Sequence, residues 1–112
     1  MKKTTNNDFQ DFKYAFMYYA KEFGVLGYNI IYQHIKTDCN ASIEVDMEEH
    51  EVMVTFSDII DGYETPSSLA KHEALELLLY PIYDMACNRD FNKERLGSSI
   101  HSIIFTLDKI IK

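Results

Sequence analysis

Aromatic side chains at Phe9, Phe12, Phe16, Tyr19 and Phe23 recur at spacings of three and four, the period that lines one face of an α-helix. Asn7 or Asp8 can cap its first turn, and Gly24 ends the run. A helix is therefore expected over 8–24, after a loose polar start at 1–7. Five rings on one stripe describe a packing face. The period then falls to two. Tyr28 to Ile35 is rich in β-branched and aromatic residues and reads as a strand. Ala41, Ile43, Val45 and Met47 alternate with Ser42, Glu44, Asp46 and Glu48, and Val52, Val54 and Phe56 alternate with Glu51, Met53, Thr55 and Ser57. Each pattern marks a strand with one dry face. Short connections between the three strands over 28–57 predict an antiparallel meander.

Asp61 and Gly62 open a loop, after which Thr65 and Pro66 form a cap and first-turn pair. A long helix is expected over 66–88, kinked at Pro81, which removes one backbone hydrogen bond. Arg89 to Asn92 make a short connection. The last helix, 93–111, would turn Leu96, Ile100, Ile103, Ile104, Leu107 and Ile111 inward, with Gly97 weakening it. The order is helix, three-stranded antiparallel sheet, then two long helices: an α+β single domain over 1–112, with its helices on one face of a small sheet.

Composition narrows the functional classes. The chain has 112 residues, 46% of them apolar, with seven Phe and eight Tyr, enough for one real core and too few for two ordinary domains. Eleven Lys and Arg against 18 Asp and Glu give a net charge of −7, which disfavours direct nucleic-acid or anionic-lipid binding. A basic protein or a divalent metal remains open as a partner. Cys39 and Cys87 show no CxxC spacing, so reduced thiols in a cytoplasmic setting are expected. No signal-peptide h-region follows the N-terminus, and no apolar stretch is long enough to span a membrane.

The stretch with chemistry in it is Lys71–His72–Glu73–Ala74–Leu75–Glu76. His72 and Glu76 are four apart and leave a helix on one face; Glu73 is a step of about 100° round from His72. A metal held at 72 and 76 would have a carboxylate beside it that can take a proton from bound water, the logic of HExxH sites. Here the second histidine is a glutamate, and the same text also fits a solvated, ion-paired helix face. His101 interrupts the run Ile100–His101–Ser102–Ile103. Counting from the turn near residue 90 at about 1.5 Å per residue, Glu76 and His101 fall within a helical turn of each other. His101 is then a third ligand or a core histidine bonded to a carbonyl. Asp84 is a fallback ligand. Tyr80 and Tyr83 could donate toward an oxyanion or simply pack half-buried. His34 and His50 read as ordinary exposed side chains.

His72 to Ala86, HEALELLLYPIYDMA, together with His101 to Ile111, HSIIFTLDKII, resembles the small zincin-like proteins encoded in bacteriophage genomes. The layout of a helix, a short sheet, a motif helix and a final helix resembles them too. The resemblance implies a zinc site with His72 as first ligand, Glu73 as catalytic general base, Glu76 in the place of the second histidine and His101 near the acidic third ligand. Two imidazoles and one carboxylate would be kept with two positions exchanged, a set that zinc accepts. It implies a peptide or protein substrate if the site is active, a degenerate non-catalytic derivative if it is not, and the cytoplasm of a bacterial host as location.

A second class of function rests on charge. From Thr37 to Glu64 there are nine acidic residues and no Lys or Arg. Glu44, Asp46 and Glu48 recur at every second position, so on one strand they would form a row spaced about 6.6 Å apart. That row is either a solvated sheet face or a surface that meets the basic, nucleic-acid-binding groove of a host protein, as a small acidic inhibitor would.

Overall fold

In a computed structural model residues 1–87, 97–98 and 100–105 are described. Strand β1 (Lys2–Lys3) leads into α1 (Asn6–Glu22). Three strands follow, β2 (Asn29–Ile35), β3 (Ala41–Asp46) and β4 (Glu51–Ser57), then the short β5 (Ile59–Ile60) and α2 (Pro66–Cys87). Residues 97–98 and 100–105 are helical. The architecture is α+β.

The aromatic stripe does what its spacing requires. Phe12 and Phe16 are fully buried and Phe23 nearly so, with Phe9 and Tyr19 packed against them. The expected caps at Asn7 or Asp8 are displaced to Thr5, whose hydroxyl accepts from the Asp8 amide while the Asp8 carboxylate accepts from the Thr5 amide. That reciprocal pair satisfies two first-turn donors, and its hydrogen bonds hold the Asp8 carboxyl below its ordinary range. Thr5→Ala should cost about 1 kcal/mol, measurable by urea unfolding. Gly24, at φ 70°, closes the helix: its amide reaches Lys21 O and the Val25 amide reaches Ala20 O, the paired bonds of a Schellman ending. Thr65 caps α2 as expected, accepting from the Ser68 amide through its hydroxyl, while Ser68 Oγ accepts in turn from the Thr65 amide. Helical structure continues on both sides of Pro81.

The sheet departs from the expected meander. Its order is β2–β4–β3; β3 and β4 are antiparallel, and β2 runs parallel to β4 with Asn29 opposite Glu51 and Ile35 opposite Ser57. The sheet is therefore mixed. Alternation tells which face of a strand is dry but not which neighbour it takes. β4 has five of its seven residues buried and takes the centre, whereas β3 carries exposed Glu44 and Asp46 and takes an edge, where charge is tolerated. Val52, Val54 and Phe56 of β4 are fully buried beneath the helices, beside Leu69, Ala70, Ala74 and Leu77 of α2.

Three further expectations are corrected. The N-terminus is pinned: β1 pairs antiparallel with β5, and buried Thr4 donates its hydroxyl to Ser57 O at 2.7 Å. Thr4 Oγ1 also lies 2.7 Å from His34 Nε2, so with its own proton committed it accepts from an Nε2–H. His34 is accordingly no plain surface residue. Its ring stacks on Phe9 at 4.9 Å and on Phe56 at 5.4 Å, because the alternation of β2 puts it on the dry face. His50 is exposed as expected, and its φ of 51° helps close the β3–β4 turn. In the last helical stretch Ile103 is half-buried, but Ile100 and Ile104, expected inward, are exposed. Among the described residues of that stretch, Ser102 and Ile103 border a hollow with Leu77, Leu78 and Pro81. Residue 88, the connection 89–92, Leu96, Leu107 and Ile111 lie outside the described residues.

Candidate metal centre

Helix α2 buries Leu69, Ala70, Glu73, Ala74 and Leu77, a stripe with the spacing of a core-facing helix. Glu73 thus takes a position that the pattern reserves for an apolar residue. It is only 4% exposed. His72 and Glu76 flank that stripe on the solvent side, their side chains 68% and 53% exposed, with His72 Nε2 3.3 Å from Glu76 Oε1. The i, i+4 spacing produces that contact directly.

Ligand-capable atoms of His72, Glu73 and Glu76 all lie within 4.8 Å of one another. The Glu73 carboxyl is pushed up to about 8, first by burial, then by a hydrogen bond with Glu76 and by the negative charges of Glu76 and Glu64. Its Oε2 is buried with no hydrogen-bond partner, a costly state for a carboxylate oxygen. Glu64 stands near because Asn40 Nδ2 donates to both Asp61 O and Glu64 Oε2, at 3.1 Å each, which ties the loop before α2 to the start of β3. The three side chains could hold a metal ion, and a cation beside the buried Glu73 carboxylate would offset the cost of its charge.

The set is not the expected one in full. His72 and Glu76 come together, and Glu73 joins them as a potential ligand. His101 is exposed and is not part of the converging group; its neighbours Ser102 and Ile103 line a separate hollow with Phe23, Tyr28 and Leu77. Asp84 is not part of the group either; its charge instead acts on Tyr28, whose hydroxyl is raised mainly by burial. Tyr80 and Tyr83, with rings 5.7 Å apart, border a groove of about 320 Å³ with Ile43, Leu79 and Glu76. Reading α2 alone missed Ile43 and Glu64, which reach the site from β3 and the preceding loop. The acidity of the 37–64 interval was the only sequence signal for Glu64.

The row of carboxylates is shorter than expected. Glu44 and Asp46 are on β3, but Glu48 lies in the following turn. Asp46 Oδ1 accepts from the Glu48 and Glu49 amides at 3.1 Å, an Asx arrangement that bends the chain just where the row would continue. Exposed Cys39 lies 3.8 Å from Thr37 Oγ1. No helix among the described residues is long and apolar enough to cross a membrane.

No protein-family model, curated protein or solved structure matches this chain.

Proposed function

We propose that this chain is a zincin-like metal-site protein that holds a divalent cation, zinc foremost, at His72, Glu73 and Glu76, and that it is a non-catalytic derivative of the peptidase layout. The observation that carries the reading is the convergence within 4.8 Å of one ligand-capable atom each from His72, Glu73 and Glu76, with the Glu73 side chain buried. The case against hydrolysis is chemical. A general base must be free to take a proton from metal-bound water, and a Glu73 that serves as ligand is not free. His101, which would have released Glu73 from that duty, is outside the converging group.

The test is calorimetric titration of chelator-treated protein with zinc. One equivalent should bind to the parent chain. Binding should fall by at least about tenfold in His72→Ala, with the helical circular dichroism unchanged. Zinc-loaded protein should leave unfolded casein uncut. A folded protein that takes up no zinc removes the proposal, and casein cleavage abolished by Glu73→Gln would restore the peptidase.

A second reading keeps one observation in its favour. Glu44 and Asp46, with Glu51, line a hollow of about 260 Å³ on the outer sheet face, and the 37–64 interval has no Lys or Arg. That surface suits a basic protein partner. Glu44→Lys would abolish such binding and leave zinc uptake intact.

A further inference from the structure

The two edges of the three-stranded sheet are unlike. The β3 edge carries Glu44 and Asp46, the kind of charge that discourages strand addition. The β2 edge is Asn29–Ile–Ile–Tyr–Gln–His–Ile35, seven residues with no Asp, Glu, Lys, Arg, Pro or Gly. Among the described residues no strand pairs with it.

The parallel ladder fixes which backbone groups face outward. The Asn29 amide donates to His50 O and Ile35 O accepts from the Asp58 amide. Asn29, Ile31, Gln33 and Ile35 therefore spend their backbone groups on β4, and those of Ile30, Tyr32 and His34 point to the open edge. On the outer face of the same strand Ile31 and Ile35 are 38% and 47% exposed. An uncharged, regular edge with unpaired amides and exposed isoleucines invites another strand.

Charge selects the occupant. The start of β2 lies beside the acidic β3–β4 turn, since Asn29 is opposite Glu51 and bonded to His50 O, with Glu48 and Glu49 just before. The end of β2 leads into Lys36. Close by, β1 contributes Lys2 and Lys3, because Thr4 contacts His34 and Ser57; Asp8 partly offsets Lys2 there, and Asp58, whose amide bonds Ile35 O, adds a second carboxylate. One end of the strand is thus acidic, and the other holds three lysines against Asp8 and Asp58. Antiparallel pairing of the strand with itself brings each acidic end onto the lysine-bearing end of the partner.

We propose that the β2 edge is a self-association site, at which two copies of this chain pair antiparallel about a two-fold axis at Tyr32. Ile30 then faces His34 of the second copy, and the residues whose backbone groups are free pair only with each other. Two sheets merge into one of six strands, and the Ile31 and Ile35 side chains of both copies form one outer patch. The arrangement is isologous and closes on itself, as a two-fold contact must. It is independent of the metal centre, which lies on α2.

Sedimentation equilibrium and amide hydrogen exchange test this. The parent chain should approach twice its 13.1 kDa mass at micromolar concentration, dissociate as salt is raised, and show slow exchange at the Ile30, Tyr32 and His34 amides. Ile31→Lys places like charges on both sides of the axis and removes apolar contact; it should weaken association by at least about tenfold and speed exchange at those three amides. Lys36→Glu should also weaken the dimer, and combining it with Glu49→Lys should restore it. Ile31 is exposed, so the fold is retained, and circular dichroism verifies that. A parent chain that stays monomeric at 100 μM (roughly a hundredfold above the micromolar range expected of a specific pair), or a dimer indifferent to Ile31→Lys, overturns the proposal.

Discussion

Phe56→Ala should destabilise the protein by about 3–5 kcal/mol, the largest loss expected from any single truncation. Phe56 has no solvent exposure and stands on the central strand, where both neighbouring strands are held in register. Its ring is stacked on Phe12 at 4.7 Å and on His34 at 5.4 Å, and His34 in turn is stacked on Phe9 at 4.9 Å. The four rings form a continuous pile joining α1 to the sheet. Removing an inner member leaves a void that its neighbours cannot fill without breaking the bond from His34 to Thr4 Oγ1. Domains of this size are stable by roughly 5–15 kcal/mol in total, so the variant should be near the threshold of folding. Phe9→Ala, at the half-buried end of the pile, should cost clearly less. Urea unfolding of both variants measures the difference, and equal losses would show that the pile does not act as a unit.

Glu73→Gln should stabilise the metal-free protein, and increasingly so as pH rises. The ordinary carboxyl value is 4.5, and in the folded chain Glu73 is raised to about 8 by burial, by its bond with Glu76 and by the charges of Glu76 and Glu64. Between those limits the folded state holds a proton that the unfolded state has released. Stability therefore falls with rising pH by up to about 1.4 kcal/mol per pH unit from this group. It is greatest below pH 4.5 and is lost through pH 8. Glutamine carries no proton to lose, so the variant lacks this slope. The two proteins should be nearly equal at about pH 4 and differ by several kcal/mol near pH 8. Urea unfolding across that range, with chelator present, checks this. Parallel pH profiles would mean that Glu73 is not buried in solution.

The contrast between these two residues also shows what the sequence made legible. Local patterns sufficed for α1, whose aromatic stripe had only one way to face, and for the Thr65–Pro66 start of α2. The i, i+4 geometry was enough to bring His72 and Glu76 together. What a local pattern lacks is partner choice. The parallel β2–β4 pairing, the β1–β5 clasp and the burial of His34 all depend on residues more than twenty positions apart. Glu73 illustrates the same limit at the site. Its adjacency to His72 suggested a base standing beside a metal, but the phase of the apolar residues Leu69, Ala70, Ala74 and Leu77 puts it on the core side of α2. That phase was present in the sequence and outweighed the motif. His101 lay beyond reach of such reasoning, because the relation of two helices across a connection is set by packing and not by counting residues.

The hydroxyl of Thr4 meets the carbonyl of Ser57 across 53 positions of chain. During synthesis, α1 emerges before the three-stranded sheet with its aromatic stripe uncovered, and the clasp that anchors its leading end cannot form until β4 and β5 have left the ribosome. Closing so long a loop carries an entropic cost that early local contacts do not offset. The segment ahead of α1 is thus secured only after the strands have been made, and for that interval the nascent helix leaves Phe12 and Phe16 uncovered.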